Sequence, residues 1–184
     1  MLKKITTLDA VFMALMAACG IALKPIVGPL AKLIGSAFLI PSGSIAGGIY
    51  MVWPMLGLLV VKKTGAATFV GLIEGIVVMV TGIYGSHGLL TLVTYTVPGI
   101  FIDLGFLLIR SFPKRWLLFF PTALGNLSGS LMVGIIIMHL PKIPLIISLI
   151  PSFIFGGLGG YLSWALYQWL IKTFPVFQKS EKKY

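Results

Sequence analysis

Residues 42–63 read SGSIAGGIYMVWPMLGLLVVKK, and this stretch decides the class of the chain. Twenty residues pass without a charge before Lys62 and Lys63 arrive together. A helix that crosses a bilayer core needs roughly 20 apolar residues. Lysines clustered at the end of such a run mark the cytoplasmic side. The stretch is read as a transmembrane helix that exits inward at Lys62.

The pattern repeats on either side. A first span is predicted over residues 7–23, a third over 64–84, a fourth over 88–111, a fifth over 116–140 and a sixth over 143–171. Pro98-Gly99 falls inside the fourth and marks a kink. Residues 24–41 contain Pro25, Gly28, Pro29, Lys32 and Gly35. They read as too polar and too broken to span, and predict a long first outer loop with a short interfacial or re-entrant piece. Lys3, Lys4, an apolar run and Ala17-Ala18-Cys19 look partly like a secretory leader. Asp9 interrupts that pattern and five further spans follow, so the segment is read as a retained first helix. The expected fold is an all-α integral membrane protein, a six-transmembrane-helix bundle forming a single domain over residues 1–184.

Composition agrees. The chain is 58% hydrophobic and 10% charged, with a mean hydropathy of +1.07; a soluble domain carries about 25% charge. The net charge of +10 does not point to nucleic acid, because the basic residues sit in short clusters between apolar runs. With the N-terminus inside, eleven of the 14 lie on the cytoplasmic side, leaving Lys24, Lys32 and Lys142 outside. Both termini are therefore expected in the cytoplasm. A single cysteine, Cys19, rules out an intrachain disulfide or a Cys-rich metal site. His87 and His139 are isolated and make a poor metal set. The sequence has no Gly-x-x-x-x-Gly-Lys-Ser/Thr loop, no His-Glu-x-x-His and no Gly-x-Ser-x-Gly. Neither an enzyme nor a cofactor is expected.

Four acids are present, and Glu74 is the informative one. It falls ten residues past Thr64, about 15 Å into the membrane at 1.5 Å per residue. No basic partner is predicted at that depth, so it is expected to face a wet cavity as a ligand or proton group. Asp103 is open between ligand contact and a helix–helix hydrogen bond; Asp9 is expected to cap or flank the first helix. Tyr50 and Trp53 lie one turn apart, Tyr84, His87 and Tyr95 cluster at the outer ends of the third and fourth spans, and Asn126 lies near the middle of the fifth. Aromatic faces with a few polar groups suit a flat, polar-edged small molecule. Small residues recur at four-residue spacing in Ala10/Ala14/Ala18, Gly71/Gly75, Gly125/Gly129 and Gly156/Gly160, which lets helices approach closely. The alanine stripe is the best candidate for docking another membrane subunit.

Tyr50-Met51-Val52-Trp53, the turn Lys62-Lys63-Thr64-Gly65-Ala66-Ala67, Glu74 and the Gly-rich stretch 82–88 form an ordered set. In that order it resembles the substrate-binding S component of an energy-coupling factor (ECF) vitamin transporter, nearest to the hydroxymethylpyrimidine/thiamine type. The Ala10/Ala14 spacing is similar to the stripe with which such components dock. Thr64 stands where proline is common in that type, and Pro98-Gly99 followed by Asp103 stands where Gln-Gly and a glutamate are usual. The resemblance implies a plasma-membrane subunit that captures a vitamin-like compound near the outer face. A transmembrane coupling subunit and two ABC-type ATPases would drive its release inward. Without the resemblance, a proton-coupled secondary carrier using Glu74 is the main alternative, although no internal repeat supports it.

Overall fold

The structure is a computed structural model that describes residues 5–37, 40–83, 86–109 and 115–174. It is all-helical, with six helical passes. Helix α1 spans Thr7–Ser36. The second pass is divided into α2, Ser42–Tyr50, and α3, Val52–Val61. Helix α4 covers Ala66–Thr81 and α5 Leu90–Ile109. A 3-10 turn, Arg115–Leu118, leads into α6, Phe119–Met132, which continues as a π-helical turn over Val133–Ile137. Helix α7 runs through Lys142–Thr173. Five passes are long and apolar enough to cross a membrane, and α4 is a shorter apolar helix.

The largest departure from the sequence reading lies at the start. The predicted long outer loop is helix: α1 runs unbroken through Pro25 and Pro29 to Ser36. At 1.5 Å per residue its 30 residues extend about 45 Å. The reason lies on its inner face. Ala17, Gly20, Lys24, Gly28, Ala31 and Gly35 are all buried, at spacings of three and four that keep one helical face in register across both prolines. Packing of that face outweighs the prolines' helix-breaking tendency, as in many membrane helices. A similar effect lengthens the last pass, which continues through Pro151 as one helix.

Prolines do break the second pass. Pro54 has no N–H to offer the Tyr50 carbonyl one turn back, and α2 ends at Tyr50. The three Gly pairs are interior packing, as their simplest reading holds. A Cβ on Gly71 or Gly75 would meet α5 at Tyr95, on Gly125 or Gly129 it would meet Pro98, and on Gly156 or Gly160 it would meet α6 and the turn before it. The Ala10/Ala14/Ala18 stripe differs, since all three alanines face out of the bundle.

The core gathers Met13, Met16 and Ala17 of α1 around α3 and the start of α4, with Tyr167 and Ile171 of α7 closing it. Two polar devices pin this end. Thr6 and Asp9 form a capping box on α1, and Asp9 also pairs with Lys63 in the α3–α4 turn. The N-cap residue of α4 is Gly65 (φ +94°), which offers no side-chain cap. Asp103 of α5 supplies one instead, accepting from the Thr68 N–H at 2.8 Å, the Thr68 hydroxyl at 2.6 Å and the Ala67 N–H at 3.4 Å. A carboxylate at a helix N-terminus satisfies free N–H groups and the helix dipole together.

Candidate functional site

A cavity of about 600 Å³ opens at the end of the bundle opposite the Lys62-Lys63 turn. The end of α1, the segment before α5 and the π-helical turn wall its mouth, through Ser36, His87 and Ile137. Its deeper wall carries Lys24, Tyr50, Glu74, Tyr95 and Asn126. Pro54 and Pro98 both line it, so the division of the second pass and the proline of the otherwise continuous α5 both lie at the cavity. The π-helical turn adds to this, as such turns often do beside sites.

At the base, Lys24 Nζ lies 2.5 Å from Glu74 Oε2, with side chains only 3% and 5% exposed. The Lys24 ammonium also sits 5.0 Å from the Tyr50 ring centroid and 4.9 Å from that of Tyr95. One cation thus joins α1, α2, α4 and α5. This corrects the sequence reading, in which Glu74 had no basic partner at its depth. The partner was assigned to an outer loop, and only continuation of α1 brings it inside. Pairing and aromatic faces offset the large desolvation penalty of two buried charges. Glu74 Oε1 remains buried without a hydrogen-bond partner among the described residues, beside Gly20, where a Cβ would collide with it.

The other predicted residues divide. Tyr50, Tyr95, His87 and Asn126 line the cavity with Glu74. Asn126 Nδ2 donates to the Ser44 carbonyl at 3.2 Å and the Ser152 carbonyl at 2.8 Å. The His87 backbone N–H donates to Thr91 Oγ1 at 2.7 Å, and partial burial pushes its imidazole below the ordinary value of 6.5. Trp53 does not line the cavity. It packs against Gly20 and the core, and its indole N–H has no partner among the described residues. Asp103 does not line it either, because its carboxylate is taken up by the start of α4. Tyr84 lies outside the described residues. Sequence reading missed Lys24 and Thr94, which both belong to the wall. The small-residue rhythm through Gly20, Lys24 and Gly28 was the available signal for the lysine.

Among the described residues no group of three His, Cys, Asp or Glu side chains could hold a metal ion. The wall sets two tyrosine rings beside a buried ion pair, with polar groups from Asn126 and Thr94, a lining suited to binding a small molecule.

A family model described as "ABC-type cobalt transport system, permease component" matches residues 8–128, well over half of the chain. A solved structure described as "Crystal structure of an S-component of ECF transporter" aligns with a TM-score of 0.79, at 18% identity, over 98% of this chain and 95% of that one. No curated protein matches the chain significantly. The helices, the cavity and the family match converge: this chain belongs to the family of ABC-type cobalt transport system permease components, a membrane transport subunit rather than an enzyme, built on the fold of an ECF S component.

Proposed function

We propose that the chain is the substrate-capturing S subunit of an ECF-type importer in the plasma membrane, taking up a flat, vitamin-like compound from outside. The observation that carries this reading is the cavity built around Lys24–Glu74 and the Tyr50 and Tyr95 rings. With Lys62-Lys63 on the cytoplasmic side, the cavity opens outward. Its dimensions and aromatic walls suit a small heteroaromatic molecule. The thiamine/hydroxymethylpyrimidine type is the first substrate class to test, on the sequence resemblance around Glu74.

The wall's charge favours an organic substrate over a bare cobalt ion. Lys24 and Lys32 both line the cavity, and its carboxylate, Glu74, is already engaged by Lys24. Divalent cobalt is held by imidazole, thiolate or free carboxylate donors, and the described wall residues do not assemble such a set. Membership of an ABC-type family supports ATP-driven import over a proton-coupled carrier.

A transmembrane coupling subunit and two ATPases would complete the importer. The outward-facing Ala10/Ala14/Ala18 stripe supports docking on α1, since its small side chains leave a flat surface that a partner helix can approach. Ala14→Trp should reduce transport while leaving ligand binding by the isolated chain unchanged. The direct test of the reading is calorimetry of the purified chain with thiamine and hydroxymethylpyrimidine, followed by uptake in cells expressing the coupling module. Binding of neither compound removes the pyrimidine-type substrate. Uptake that persists without the ATPases removes the importer reading.

A further inference from the structure

We propose that Asn126 is a fixed hydrogen-bond acceptor in the cavity and selects a ligand that presents an N–H or O–H donor to it. This rests on the reading of the cavity as the capture site. It adds which polarity of hydrogen bond that site reads.

An asparagine amide offers two donors on nitrogen and an acceptor on oxygen. In Asn126 both donors are used, on the carbonyls of Ser44 and Ser152. Those carbonyls can only accept, so a flipped amide would set Oδ1 against two oxygens. The orientation is therefore determined by chemistry. Oδ1 has no hydrogen-bond partner among the described residues, and Asn126 lines the cavity. What the amide has left to offer a ligand is an acceptor.

The clasp is built in. Asn126 is 3% exposed and wedged where α2, α6 and α7 meet. A Cβ on Gly47 would overlap its amide, and one on Gly156 would strike its Cβ. The Ser44 hydroxyl donates to Ser130 Oγ at 3.0 Å, which lies 2.8 Å from Ser152 Oγ. The two residues whose carbonyls hold the amide are thus tied to each other through α6.

A neighbour on the wall shares the bias. Thr94 Oγ1 donates to the Thr91 carbonyl at 3.2 Å, leaving its oxygen as an acceptor. Glu74 adds negative charge at the base of the cavity, although its Oε1 is buried against Gly20. Two helices, α5 and α6, therefore turn acceptors on the ligand. A heteroaromatic edge bearing an amine matches them, and the same ring bearing an alkoxy group places oxygen against oxygen.

The test uses two fragment probes, 4-aminopyrimidine and 4-methoxypyrimidine, titrated into the full-length chain in lipid nanodiscs. The amine is expected to bind about tenfold more tightly, the equivalent of one well-made buried hydrogen bond. That preference should disappear in Asn126→Leu and shrink in Thr94→Val. The second variant leaves the Asn126 clasp intact, so it decides the matter if thermal melting shows that Asn126→Leu is misfolded. Equal affinity of the wild type for the two probes, no measurable binding of either at millimolar concentration, or an undiminished preference in the folded variants overturns the proposal. Failure of vitamin uptake with the amine preference intact would remove the functional reading and leave Asn126 an acceptor. Uptake without any preference would do the reverse.

Discussion

Two ion pairs tie α1 to the α3–α4 turn and to α4, and they do different things. Asp9–Lys63 sits at the rim, with side chains 14% and 15% exposed, beside the Thr6 capping box. Lys24–Glu74 lies deep in the bundle, at 3% and 5% exposure, against two tyrosine rings and an open cavity. The rim pair closes a helix end where water could have served instead. The deep pair holds charge where water is scarce, and leaves one carboxylate oxygen over. Similar chemistry serves anchoring in one place and recognition in the other, and the surroundings make the difference.

That contrast is broken most severely at Lys24. Lys24→Met leaves the Glu74 carboxylate buried and uncompensated, a change that typically costs about 3–5 kcal/mol. A large drop in thermal stability in detergent is expected, with loss of ligand binding. Adding Glu74→Leu should restore most of the stability, since a well-packed apolar pair often replaces a buried ion pair without penalty, while binding stays lost. Recovery of binding in the double variant would show that the pair is only a structural pin.

Glu74→Gln is the next largest effect. The glutamine still offers Lys24 an oxygen, and the Tyr50 and Tyr95 rings still face its ammonium, so stability should fall less than in Lys24→Met. A charge-assisted hydrogen bond to the ligand is worth about 1.5–3 kcal/mol, so affinity should fall by roughly tenfold to a hundredfold at about 1.4 kcal/mol per decade. Calorimetry measures this directly. Asp103→Asn sharpens the comparison from the other side. It weakens the charged cap of α4, and stability should fall by about 1 kcal/mol with affinity unchanged. Asp9→Asn at the rim should lower stability by less than about 1 kcal/mol, again without touching affinity. A loss of binding in either would move that acid into the site.

The smallest effect concerns His87 at the cavity mouth. Burial lowers its folded-state pKa below the ordinary 6.5, so the unfolded chain takes up a proton first as pH falls. Stability should be level above about pH 6.5 and decline slightly as pH drops below it, and the decline should be absent in His87→Gln. Melting curves between pH 5 and 8 check this.

The contrast also shows what the sequence made legible. Charge-free runs closed by lysines were enough for six passes, because bilayer thickness imposes a length and the cytoplasmic face imposes a charge. Glu74 stood out because a carboxyl at that depth needs a reason. Its partner stayed hidden because Pro25 and Pro29 argued for a loop, whereas the buried rhythm from Ala17 to Gly35 kept the helix intact. Trp53 was read as a wall residue from its spacing to Tyr50, but the break that Pro54 imposes at Met51 lies between them, and Trp53 packs on Gly20 instead. Asp103 was open between ligand contact and a helix–helix hydrogen bond, and it makes the second, to the start of α4, because no local residue gives α4 a cap of its own. Each miss concerns which helix faces which, and that depends on packing between distant segments rather than on any one span.

The central claim is that the cavity around Lys24–Glu74 captures a small organic molecule. Mass spectrometry of the small molecules retained by the purified chain tests it most directly. A low-mass heteroaromatic compound bound in near-stoichiometric amount is expected with the wild type and with Asp9→Asn, and absent from Glu74→Gln. Equal retention of the same compound by Asp9→Asn and Glu74→Gln would contradict the claim and place the ligand elsewhere.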